Sequence, residues 1–95
     1  MSKMIPVDST EFLKDRNEQV MLLNDAFADG DPSVIMRAFA LIALAENKNK
    51  PQMAEECGVS RSTLHKALSI EGNPTLSTLI GIIKSLGIKP TFELA

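Results

Sequence analysis

The sequence predicts an all-α domain, on three observations. Apolar residues recur at intervals of three and four along several separate stretches. Cap and stop signals separate those stretches, in "DGDPS" at 29–33, "GVS" at 58–60 and "GNPT" at 72–75. Finally, "AFALIALA" at 38–45 is too apolar for a surface helix and needs other helices around it.

The first helix is expected over about residues 16–28, where Val20, Leu23 and Phe27 recur at helical spacing with Leu22 and Ala26 alongside. Gly30 ends it. Asp31 is a good N-cap for the next helix, and Pro32 suits the first helical position, where its missing N–H costs nothing. That second helix, residues 32–46, reads as the central one. It is apolar on nearly every side, so the first helix should cover one side and everything after Lys50 the other.

"ENKNK" at 46–50 is a polar loop, and Pro51 restarts a short helix over 52–57 with Met53 and Ala54 inward. Gly58 turns the chain and Ser60 caps a fourth helix, whose inner side is Leu64, Ala67 and Leu68. "GNPT" makes the next turn. Thr75 caps a fifth helix with Leu76, Leu79, Ile80, Ile83 and Leu86 as its inward face, and Gly87 stops it. Ile82 lies off that face, either as an exposed isoleucine of no consequence or as part of a dimer contact. Ile88, Pro90, Phe92 and Leu94 then alternate with polar residues, as in a short C-terminal strand, which the proline confines to an edge.

A chain of 95 residues, 44% of them hydrophobic, supplies one modest core. No window approaches the roughly 18 consecutive apolar residues of a membrane span, and "MSKMIPVDST" lacks a signal-peptide core, so a cytoplasmic protein is expected. The lone Cys57 can form neither an internal disulfide nor a zinc knuckle. The net charge of −2 hides an asymmetry. Residues 1–31 carry three Lys/Arg against seven Asp/Glu, a net −4, whereas residues 32–95 carry seven Lys/Arg against five Glu, a net +2. The chain thus divides into an acidic N-terminal segment, 1–31, packed on a domain, 32–95, with a tail. Two surfaces with different partners fit such a division.

The stretch "ECGVSRSTLHKALS", residues 56–69, meets the requirements of a helix-turn-helix at about 51–69. Ala54 is small enough for close approach of the two helices, Gly58 can take the positive φ of a tight turn, and Val59 plugs the corner. Arg61, Ser62, Thr63, His65, Lys66 and Ser69 then face outward. A major groove admits one helix and is read by that helix's N-terminal end. Arg61 there can give two hydrogen bonds to guanine, while Ser60, Ser62 and Thr63 can serve bases or phosphates. Lys66, a turn later, suits a phosphate or a flanking base. Lys50 and Gln52 fall where the preceding helix would cross the backbone. His65 reads as an exposed side chain or a phosphate contact, having no nucleophile or acid beside it. No glycine-rich phosphate loop, metal-ligand cluster or acid pair appears, so neither an enzyme nor a cofactor is expected.

The segments "PQMAEECGVSRSTLHKAL" and "EGNPTLSTLIGIIKSLGIK" resemble the Xre-type, lambda-repressor-like DNA-binding domain. With "DGDPSVIMRAFALIALA" before them, the order resembles the addiction-module antidote family of HigA-like antitoxins, over about residues 8–92. The resemblance implies a compact five-helix domain that dimerises, binds a palindromic double-stranded operator, represses its own operon and neutralises a RelE/HigB-like toxin. It also places Arg61, Ser62, Thr63 and Lys66 at base-reading or phosphate-contacting positions and Lys50 at the backbone crossing. The sequence departs from that pattern in its acidic first helix and in Thr78, where a capping box prefers glutamate.

RelE-like toxins resemble small basic proteins, so the acidic segment with Phe12, Leu13, Val20 and Phe27 could cover one; alternatively it only completes the bundle. Two other readings stand beside the antitoxin: a free-standing prophage-type repressor, and a helical protein-interaction module that binds no DNA.

Overall fold

In the computed structural model, residues 7–69 and 71–95 are described. A 3-10 helix, Val7–Lys14, leads into α1 (Arg16–Asp29), α2 (Pro32–Ala45), α3 (Lys50–Cys57), α4 (Arg61–Ala67) and α5 (Leu76–Ser85). All regular structure among the described residues is helical, with no strand.

Side chains that satisfy orphan amides fix the helix starts. Asp15 accepts from the Asn17 N–H at 2.9 Å, Asp31 from Ser33 at 2.9 Å and Thr75 from Thr78 at 3.2 Å. Asn49, within the expected polar loop, accepts from Gln52 at 3.1 Å, so α3 begins at Lys50, with Pro51 second. The bonds from Ser33 hold the Asp31 carboxyl below its ordinary pKa. Gly30 and Gly58, with φ of 85° and 73°, end α1 and α3 in the left-handed region, where a Cβ is disfavoured.

One apolar core joins all five helices. It includes Leu23 and Ala26 of α1, Met36, Phe39 and Ile42 of α2, Met53 and Ala54 of α3, Leu64 and Ala67 of α4, and Ile82 of α5 with Leu86 after it. The 3-10 helix and α1 pack on α2, and α3 packs on both α4 and α5.

Several expected faces turn out rotated. In α1 the buried side is Gln19, Leu23 and Ala26, a regular i, i+4, i+7 stripe, and Val20 and Phe27 are half exposed. Phe27 still meets buried Phe39 edge-on, at 6.2 Å between ring centroids. Leu13 is fully buried and so cannot itself cover a partner. In α5 the inward residues are Thr78 and Ile82, continued by Leu86, with Leu79 and Ile83 flanking; Leu76 and Ile80 are exposed. Ile82, a dimer-contact candidate in the sequence, has no accessible surface, which removes it from any interface. Nor is α2 covered all round, since Val34 and Leu44 are exposed. The expected C-terminal strand is absent: residues 88–95 have no regular structure and pair with no neighbouring strand, and Phe92 and Leu94 stand free.

Polar links fasten the ends of the helices together. Arg16 forms an ion pair with Glu46 at 3.2 Å and donates to the carbonyls of Leu86 at 2.8 Å and Gly87 at 3.2 Å. Buried Gln19 donates through Nε2 to both Leu13 O and Glu46 Oε2, each at 2.6 Å. Among the described residues its Oε1 has no hydrogen-bond partner. The bond from Gln19, and then Arg16, hold the Glu46 carboxyl below its ordinary pKa.

Candidate nucleic-acid interface

The first helix of the pair, α3, ends at Gly58, whose N–H donates to Glu55 O at 3.1 Å, while the Val59 N–H donates to Ala54 O at 3.1 Å. These bonds satisfy the last carbonyls of α3 and bring the chain round within three residues. Val59 is half-buried against the core, and Ala54 is 2% exposed, as close approach of the two helices requires.

Ser60 opens α4. Its Oγ accepts from the Thr63 N–H at 3.1 Å and donates to Thr63 Oγ1 at 2.9 Å. That reciprocal pair commits the Ser60 hydroxyl to the helix start and leaves the Thr63 hydroxyl proton free for another acceptor. Leu64, with no accessible surface, and Ala67 lock the inner side of α4.

Arg61, Ser62, Thr63, His65 and Lys66 are all exposed, and the structure brings these five sequence-predicted residues together on one seven-residue helix. Among the described residues the side chains of Arg61, Ser62, His65 and Lys66 have no intramolecular hydrogen bond or ion pair. Lys50 and Gln52 are exposed in the first turn of α3. Ser69 differs from expectation: its hydroxyl donates to Lys66 O at 2.7 Å and closes the end of α4. Cys57 is half-buried, and burial, followed by the neighbouring Glu56 charge, pushes its thiol pKa up, away from the reactive thiolate.

Two features that hold this surface in place are missed by the sequence reading. Gly81 of α5 faces Cys57 so closely that a Cβ on it would fall 2.9 Å from Cys57 Cα. Glu56 Oε1 accepts from Ser85 Oγ at 2.7 Å, a second link between α3 and α5. A glycine inside an apolar helix is the one sequence signal of the first, and a Glu–Ser pair 29 residues apart carries none. Beyond α4, buried Gly72 has no room for a side chain against the Ala67 carbonyl, which restricts how the chain leaves the helix.

Among the described residues no group of side chains could hold a metal ion, and no helix is long and apolar enough to cross a membrane.

The family model described as "Probable addiction module antidote protein" matches residues 3–94. The chain belongs to this family. An addiction-module antidote implies a toxin as its counterpart. The chain is also 35% identical over 82 residues to an uncharacterized protein of Haemophilus influenzae (strain ATCC 51907 / DSM 11121 / KW20 / Rd), a match covering 86% of this chain and 82% of that one. No solved structure matches significantly.

Proposed function

We propose that this antidote-family chain is a sequence-specific DNA-binding antitoxin that acts as a homodimer, neutralises a RelE/HigB-like toxin and represses its own operon. In this reading α3, the turn and α4 are the helix-turn-helix of a lambda-repressor-like domain. The observation that carries it is the outer side of α4, where Arg61, Ser62, His65 and Lys66 are exposed and uncommitted above a fully buried Leu64.

Each side chain then has a role set by its position. Arg61 and Ser62, in the first turn of α4, reach base edges in the major groove, with Arg61 giving the bidentate contact to guanine. Thr63 offers its free hydroxyl proton to a phosphate or base. Lys66 and His65 lie a turn further on and meet phosphates, while Lys50 and Gln52 sit at the backbone crossing. Ser60 acts through the helix start rather than through DNA. One module of this size has a small DNA footprint, and two copies on half-sites a helical turn apart provide the rest of the specificity.

The toxin-facing role goes to the acidic N-terminal segment. There Phe12 and Val20 are half exposed among Glu11, Asp15 and Glu18, which suits a basic partner.

Electrophoretic mobility shift with the DNA upstream of the chain's own gene, across a salt series, tests the DNA reading. The expected result is a specific shift that Arg61→Ala weakens. A shift unchanged in the variant removes Arg61 from the groove, and no specific shift at any salt, with or without the toxin present, overturns the DNA reading.

A further inference from the structure

We propose that the tail residues Phe92 and Leu94 of one copy dock in an apolar groove between α2 and the end of α4 of a second copy. The proposal deepens the homodimer reading above and rests on it.

The groove has two adjoining hollows. The larger, about 290 Å³, is lined by Arg37, Ala40, Leu41, Leu44 and Leu68; the smaller, about 190 Å³, shares Ala40 and Leu44 and continues to Lys48 and Lys50. Its floor is aliphatic, and Leu44 is 52% exposed on a helix that otherwise carries much of the core. Arg37, Lys48 and Lys50 make its rim basic without an ion pair to any described residue. An exposed apolar strip with a charged rim of one sign is the form of a docking surface.

The matching segment is in the same chain. Phe92 and Leu94 are 94% and 101% exposed, with the acidic Glu93 between them, and no helix or strand engages them. In an extended segment, residues two apart face the same way, about 6.5 Å from each other. Phe92 and Leu94 then enter the groove side by side, and Glu93 turns outward toward the basic rim of Arg37 and Lys48. Within one copy both the tail and the groove stand open. A two-fold exchange of tails covers both, each copy giving and receiving the same segment.

Sedimentation equilibrium of the full chain without DNA tests this over a concentration series. The wild type is expected to be a dimer, and Phe92→Ala/Leu94→Ala and, separately, Leu44→Glu to raise the dissociation constant at least tenfold with helical circular dichroism unchanged. Glu93→Arg and Arg37→Glu should each weaken the dimer, and the two together should recover part of the loss. The tail variants alter only exposed side chains, so they decide the matter even if Leu44→Glu disturbs folding. A dimer indifferent to the tail variants overturns tail exchange and leaves dimerisation standing. A wild-type monomer throughout overturns both. Mobility shift on the same samples scores DNA binding separately.

Discussion

Gly81 meets Cys57 at a separation that admits no β-carbon: one built on the glycine would lie 2.9 Å from Cys57 Cα and 3.0 Å from its Cβ. The obstruction includes backbone, so turning a side chain aside does not relieve it. Gly81→Ala must push α3 off α5, and α3 carries the turn that sets α4. Overpacking of this kind costs about 1–3 kcal/mol, despite alanine's better helix propensity. Thermal unfolding should show a clear fall in Tm, and Ser85→Ala, which removes only the Glu56 link, should show much less.

Ser60 separates folding from DNA contact. Ser60→Ala removes the cap and should cost about 0.5–2 kcal/mol by denaturant unfolding. Ser60→Asp keeps a capping acceptor and should hold stability near wild type, yet it sets a carboxylate beside Arg61 and should weaken DNA binding. An aspartate variant as unstable as the alanine variant would mean that the hydroxyl's bond to Thr63 Oγ1 is the part that matters.

Arg61 and Lys66 should fail differently in mobility-shift titrations. Losing a bidentate guanine contact costs about 1–3 kcal/mol and relaxes preference at one operator position. Losing a phosphate contact through Lys66→Ala weakens binding on every sequence alike and lowers the log–log salt slope by about 1. A sequence-selective loss with Lys66→Ala would mean that the two roles are exchanged.

The Asp31 and Glu46 carboxyls both titrate below their ordinary values in the folded chain. Groups with depressed folded values contribute stability that is fully present above the unfolded range, near pH 4, and is lost as pH falls through the folded values. Acid unfolding should therefore steepen below about pH 4.5. Gln19 is the largest cause at Glu46, so Gln19→Met raises the Glu46 value and should move the acid transition to higher pH. An unmoved transition would mean that Arg16 alone holds the carboxylate.

Where the chain carries its own cap or stop, the sequence was legible. Asp31 with Pro32, Gly58, Ser60 and Thr75 fall where local hydrogen bonding requires them, and those bonds need no knowledge of neighbours. The outward residues of α4 followed from Leu64 and Ala67. Faces decided by neighbours were not legible. Residues 79, 80, 82, 83 and 86 offer two overlapping apolar stripes, and the close seat of Gly81 on Cys57 selects the one containing Ile82. Thr78 replaces the expected glutamate because that position is 4% exposed, where its hydroxyl accepts from Thr75 Oγ1 at 3.1 Å. Gln19 carries no apolar signal in the sequence, yet its amide joins Leu13 O to Glu46 inside the fold. The tail's alternation was real but had no neighbouring strand to join.

The bond from Arg16 to the Leu86 carbonyl spans 70 residues of sequence, whereas α1 and α2 meet across the short connection of Gly30 and Asp31. Local helix pairs close quickly, and a contact of that span waits for most of the polypeptide. During synthesis the α1–α2 hairpin can therefore form long before its guanidinium finds the end of α5. This link from Arg16 is made last, so an interrupted or C-terminally trimmed chain would retain the hairpin without this bond across its termini.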